Sequence, residues 1–323
     1  MKYFYFFCLG LYFICTACDK VENPYPPTIK TDLDTTIYPG MWKDYLANEW
    51  PDFSQLTSVT TRNALIEDYT GHNCSFCPAA AAVAHSLVAA DPEHVFAASI
   101  HASNTTNGMS SFQALNSAQG YTIDFTNAEG LSLGAFFGNT LINSGFYGNP
   151  AGSINRTNDQ GEYFMATGSW GSHVNAVKSS VLRVGLKAKL NYFETPKKGF
   201  FLHTEVAILD NSLQTENLAL VAYMMEDSLV GPQNVSNTFT PNYVHRDIFR
   251  GTIDNQIWGR TLNSSFLKNG KYYLDYSAIV PNQLAPSTAG SGAFNAENMH
   301  VLVYVYDKTT LEIYQVLKLK FNP

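Results

Sequence analysis

The chain has 323 residues, a formal net charge of −7 and five cysteines, and hydrophobic residues make up 45% of it. That composition builds globular cores, and the length suits two domains better than one. The acidic balance and the lack of any Lys/Arg cluster argue against a phosphate backbone as partner, so no nucleic acid is expected.

At the start, Lys2 precedes an aromatic, apolar run from Tyr3 to Ala17. The run is too short to cross a bilayer comfortably and predicts an export signal. Ala17 stands directly before Cys18, and Asp19 and Lys20 then turn polar. This resembles a bacterial lipoprotein signal over 1–18, which implies cleavage before Cys18 and lipidation of that residue. Residues 19–44, where Pro24, Pro26, Pro27 and Pro39 interrupt a polar tract, are expected to form a tether. Cleavage would remove Cys8 and Cys15 and commit Cys18 to lipid, leaving Cys74 and Cys77 to pair in an oxidising compartment.

A first domain is expected over 45–165. It opens with an extended run, Ala64 to Tyr69, then a turn, then Asn73-Cys74-Ser75-Phe76-Cys77-Pro78 at the head of an alanine-rich helix closing before Asp91-Pro92. Unpaired N–H groups at a helix start stabilise a thiolate, and Pro78 loses nothing in the first turn. A second strand, Val95 to Ile100, follows. A right-handed strand–helix–strand crossover ends both strands at one edge, which brings His101 toward the cysteines. The same Cys-x-x-Cys spacing serves a redox pair, an inert structural disulfide and half of a metal site. His72, His85 and His101 are the nearest other ligands, and Pro78 stands where covalent haem attachment needs histidine, so no cofactor is expected. Asp68 and Glu67 alternate and therefore face opposite sides of the strand. From 102 to 147 an insertion with short helices around 111–118 and 127–137 is expected. Pro150, in a glycine-flanked turn before a short strand, is a candidate cis-proline.

The segment 174–323 changes character. Alternating runs at 181–192, 199–209, 217–225, 271–280, 301–306 and 313–321 predict an all-β antiparallel sandwich of immunoglobulin-like type. The last two are expected to pair across Asp307 to Thr310. Gly231 to Asn234 and 286–292 read as loops, and His245, Arg246 and Arg250 as a basic recognition point or as strand-edge hydrogen-bonding groups.

Strand, Cys-x-x-Cys at a helix start and a later proline before a strand resemble the thioredoxin fold. That resemblance implies Cys74 as exposed nucleophile, Cys77 as resolving thiol, Pro150 as the loop proline that receives a partner chain, and Asp68 as the carboxylate assisting proton transfer. His72 and His101 are the expected site neighbours. The runs from Ile66 to Pro78, Gly148 to Arg156 and Tyr243 to Arg250 together resemble the outer-membrane-protein-28-related lipoproteins of Bacteroidetes. This implies a lipid-anchored envelope protein with a thioredoxin-like part, and the expected location is the outer membrane, on its periplasmic face or at the cell surface. The isolated cysteine pair at a helix start predicts thiol–disulfide exchange with envelope protein thiols. A non-catalytic binding or adhesion lipoprotein, with the cysteines as a structural crosslink, is the alternative.

Overall fold

The computed structural model describes residues 33–195, 197–280 and 295–321. The helices are α1 (Trp42–Asn48), α2 (Cys77–Ala90), α3 (Ala128–Phe137) and α4 (Trp170–Ser179). The early strands are β1 (Ala64–Thr70), β2 (Val95–His101) and β3 (Ala151–Ile154). Later come β4 (Val184–Phe193), β5 (Gly199–Ile208), β6 (Leu218–Glu226), β7 (Leu229–Val235), β8 (Thr238–His245), β9 (Ile248–Thr252), β10 (Arg260–Thr261), β11 (Leu267–Lys268), β12 (Lys271–Ile279), β13 (Met299–Asp307) and β14 (Ile313–Lys320).

The expected strand–helix–strand unit is present. β1 and β2 run parallel with Ala64 opposite Val95 and Thr70 opposite His101, while β3 pairs antiparallel with β1, Tyr69 facing Ala151. Every residue of β1 is buried, because helices cover one face and the other packs into the core. Ala64 and Ile66 lie with Ala80 and Ala84 of α2 and with Trp170, Val174 and Val177 of α4. Leu65 and Tyr69 point the other way, toward Leu133 and Phe137 of α3. The alanines of α2 favour the helix and let it sit close to the sheet. The second helix of the expected insertion is present as α3, capped by Asn127, whose side chain accepts from the Gly130 N–H. The first is not: 111–118 is turn and loop, ending in a single 3-10 turn at Ser117–Gln119.

The sheet does not stop at the expected domain boundary. Its order is β14-β13-β6-β9-β2-β1-β3, with β10 added beside β6, so strands from both halves share one mixed sheet. A central parallel strand such as β2 leaves a row of backbone groups at its outer edge, and β9 satisfies part of it, Ser99 lying opposite Ile248. The antiparallel portion of this sheet packs on a second sheet, β11-β12-β5-β4, through Leu186, Phe200, Leu202, Leu220, Val301 and Val303 among others. A sandwich is therefore present, but not as a self-contained immunoglobulin-like domain. The β13–β14 pairing is as expected.

Two further expectations change. The expected tether ends earlier than residue 44, because Leu33, Ile37 and Tyr45 pack with Phe193 and Phe201. Gly231 to Asn234, expected as a loop, lies within β7, which forms a hairpin with β8. Gly231-Pro232 hid this strand, since proline cannot donate to a ladder and is confined to edges and bulges, and here the register shifts between Gly231 and Gln233. Cys18 and the signal lie outside the described residues, as do 286–292.

Candidate functional site around the Cys74–Cys77 disulfide

Cys74 and Cys77 form a disulfide with S–S 2.07 Å. Helix α2 begins at Cys77 rather than near Cys74, and Cys74 occupies the preceding turn, its N–H donating to the Gly71 carbonyl at 3.1 Å. Both cysteines are only 1% exposed. This departs from the exposed nucleophile that the thioredoxin resemblance implies.

Two flanking segments bury the turn. On one side the Asn73 N–H donates to the Phe112 carbonyl at 2.9 Å. Glycine at 71 permits this approach, as a Cβ there would lie 2.7 Å from the same oxygen. On the other side β7 lies across the turn. The Asn234 N–H donates to the His72 carbonyl at 2.7 Å, and Ser236 N–H to the Ser75 carbonyl at 3.1 Å. The buried Gln233 amide donates to the carbonyls of Cys74 at 3.1 Å and Gly71 at 3.3 Å. Phe76, between the cysteines, is left exposed.

Asp68 shares the α2-facing side of β1 with Ala64 and Ile66, as the alternation requires. It is 1% exposed, and neither carboxylate oxygen has a hydrogen-bond partner. Burial alone pushes its carboxyl up to about 7. Burial, followed by the Asp68 charge, also raises the Tyr243 hydroxyl, so that hydroxyl lies within the field of Asp68. Glu67 faces the opposite side and is fully ion-paired. Arg156 donates to both its oxygens at 2.7 Å, and Tyr223 and Tyr304 bond the same guanidinium at 3.1 and 3.2 Å.

Pro150 follows a cis peptide bond, as expected. The turn is tied to the ends of both parallel strands: the Asn149 amide donates to the carbonyls of Ala102 at 2.7 Å and Thr70 at 3.3 Å. The register of β3 sets Pro150 beside the end of β1, close to where the chain leaves for the cysteine turn.

The histidines gather where the crossover places them. His72 is buried in the turn, its Nε2 bonded to the Ala114 carbonyl at 3.1 Å and its ring stacked on Tyr121. His101 is buried with neither ring nitrogen partnered. It packs on Phe125 at 5.0 Å and on His245 at 5.7 Å between ring centroids. Burial, reinforced by the neighbouring His245, holds His101 well below its ordinary value. Burial brings His245 down to about 4, opposed by its bond to the Pro232 carbonyl.

Beside this group lies a cavity of about 290 Å³. Cys77, His101 and His245 are buried at its floor, and Ala82, His85, Val244 and Arg246 stand exposed at its rim. Cys77 lines this space and Cys74 does not. Arg246 also reaches Asp227 at 3.4 Å, and Arg250 pairs with Glu226 at 3.1 Å in the interior, so the expected basic point is divided between rim and core. Tyr243 is a lining residue that the sequence does not single out, and His245, expected with the basic point, instead lines the cavity beside Cys77. Nothing local in the sequence says that β8 folds back over α2. Among the described residues no group of three or more His, Cys, Asp and Glu converges as a metal site, and no helix is long and apolar enough to cross a membrane.

These features define a class: a mixed α/β protein of high β content with one enclosed Cys-x-x-Cys disulfide at a helix start. Among solved structures the chain is similar to HBP35 of Porphyromonas gingivalis, with a TM-score of 0.57 and 17% identity over 82% of this chain and 77% of that one. At that identity the two share a fold. Matches also include a domain of the outer membrane lipoprotein Omp28 from Porphyromonas gingivalis (22% identity, 45% of this chain and 92% of that one, TM-score 0.27) and a protein of Agrobacterium tumefaciens (13%, 81% and 96%, TM-score 0.41). No family model and no curated protein matches the chain.

Proposed function

We propose that the protein is an exported, lipid-anchored lipoprotein of the cell envelope whose α/β half is a thioredoxin-like module exchanging disulfides with envelope protein thiols. The anchor is Cys18, and the outer membrane is the proposed location. The carrying observation is the pairing of the Cys74–Cys77 disulfide at the start of α2 with Asp68, a buried and unpartnered carboxyl on the α2-facing side of the strand leading into it. Asp68, with a carboxyl near neutrality, suits proton transfer to and from a sulfur at physiological pH. In exchange, a partner thiolate attacks one sulfur, the other leaves as thiolate, and that thiolate later releases the mixed disulfide. Pro150, beside the end of β1, is the proposed contact for the partner chain, and His72 and His101 flank the pair.

The test is insulin reduction by wild type and Cys74→Ser, with thiol pKa values of the reduced protein. Activity in wild type alone, with one thiol well below the usual value near 8.5, supports the proposal. An unshifted thiol and no activity in wild type would sink it.

The burial of both sulfurs favours a second function, a binding or adhesion lipoprotein in which the disulfide is a crosslink. In that case Cys74→Ala/Cys77→Ala loses stability but keeps its cellular role.

A further inference from the structure

We propose that the cavity between α2 and β8 admits a low-molecular-weight thiol to the disulfide, and that the sulfur it attacks is Cys77 rather than Cys74. This rests on the redox reading above but assigns the opposite cysteine and a different class of co-reactant.

The asymmetry of the covering carries the inference. The Cys74 turn is clamped on both sides, by the backbone of Phe112 and by β7 with Gln233. Cys77 lies at the floor of a space whose rim is open at Ala82, His85, Val244 and Arg246. At about 290 Å³ the cavity is at the small end of ligand sites, sized for a small organic molecule rather than a polypeptide loop. Its lower wall holds His101, with both ring nitrogens unpartnered, and His245, with Nε2 unpartnered. Buried polar groups without partners point to a guest that hydrogen-bonds them. An S–H group meets that need, donating weakly to a neutral imidazole while apolar walls from Ala81, Ala84 and Ala97 accept its carbon chain.

In the first step the thiol R–SH gives up its proton and its sulfur forms a bond to Sγ of Cys77. The Cys74–Cys77 bond breaks, and its electron pair and one proton go to Cys74. A second R–SH then attacks the R–S–S–Cys77 bond at the outer sulfur, forming R–S–S–R and leaving Cys77 as thiol. Two small thiols are oxidised and one protein disulfide is reduced, so atoms and electrons balance.

The experiment uses the mature chain, cleaved before Cys18 and lipidated there so that Cys74 and Cys77 are its thiols, with 2-mercaptoethanol and its disulfide, 2-hydroxyethyl disulfide, as probes. Reduced Cys74→Ser and Cys77→Ser variants are mixed with the disulfide, and adducts are followed by intact mass. The variant retaining Cys77 is expected to form its mixed disulfide about 10-fold faster, because access to the sulfur is one of the factors that set the rate of thiol exchange. Equal rates, or faster modification of Cys74, overturn the proposal. Should either variant fail to fold, wild-type protein carries the test. Ala82→Trp at the rim is expected to slow reduction of the native disulfide by 2-mercaptoethanol by a similar factor, and an unchanged rate overturns the proposal. Insulin reduction separates the two ideas. A Cys77 adduct without insulin activity leaves the cavity route standing and removes the protein-exchange reading; insulin activity with a Cys74 adduct does the reverse.

Discussion

Glu67 and Asp68 are neighbours on one strand, equally buried, and oppositely provided for. Glu67 faces the α3 side, where Arg156 grips both oxygens and Tyr223 and Tyr304 complete the network. Asp68 faces α2 with no partner at all. Tyr223 and Tyr304 come from β6 and β13, so the Glu67 network also ties the α/β part to the β-rich part of the shared sheet. The difference teaches that burial alone does not distinguish a carboxylate fixed in its charge from one left to titrate. A charge held by a matched guanidinium is part of the framework, whereas a carboxyl left unpartnered can change protonation state where the cell operates.

The largest expected effect is on the provided side. Arg156→Leu leaves Glu67 as an unpaired buried charge and should cost about 3–5 kcal/mol in urea unfolding. The double variant Glu67→Gln/Arg156→Leu should recover much of that loss. If the single variant unfolds like wild type, the network is not the clasp between the two parts.

On the bare side the sign reverses. A carboxyl raised from 3.8 to about 7 is protonated in both states below pH 4 and contributes no penalty there. As pH rises the unfolded state ionises first, so stability is lost between about pH 4 and 7 and the loss levels off above it. Three pKa units correspond to about 4 kcal/mol. Asp68→Asn should therefore stabilise the protein by about 2–4 kcal/mol at pH 8, with the gain vanishing near pH 4. A destabilised Asp68→Asn at pH 8 would mean that Asp68 has a charge partner in solution.

The smallest effect concerns the buried histidines that line the cavity. His245 falls from 6.5 to about 4, so the folded state binds fewer protons than the unfolded one. Its contribution is complete above pH 6.5 and is lost as pH falls through 4. His245→Gln should soften the acid limb of the stability curve by about 1–3 kcal/mol between pH 6.5 and 4, read by urea midpoints at each pH. An unchanged limb would assign the acid sensitivity to His101 and His300, which burial also holds low.

Much of the local organisation was legible in the chain. Residues 64–69 read as a strand because an apolar start, Ala64-Leu65-Ile66, runs through Tyr69 to the turn at Thr70-Gly71, and α2 because it begins Cys-Pro and continues in alanine. Pro150 was marked by its glycine-flanked turn, and the opposite facing of Glu67 and Asp68 by the two-residue period of a strand. The β13–β14 hairpin was equally visible in its alternation. These features rest on neighbours within a few residues.

What the sequence could not reveal was every contact made at long range. Pairing of β9 with β2, which merges the expected domains into one sheet, joins residues 149 positions apart, Ser99 and Ile248. The fold of β7 over the cysteine turn, the choice of Cys77 rather than Cys74 to line a cavity, and the gathering of His101 with His245 are likewise products of packing. Residue type sets what a side chain can do, and spacing sets which face it takes. Which partner it meets, or whether it meets none, is decided only when distant strands close the core, and for Asp68 that was the difference between a strand-end carboxylate facing water and a buried acid.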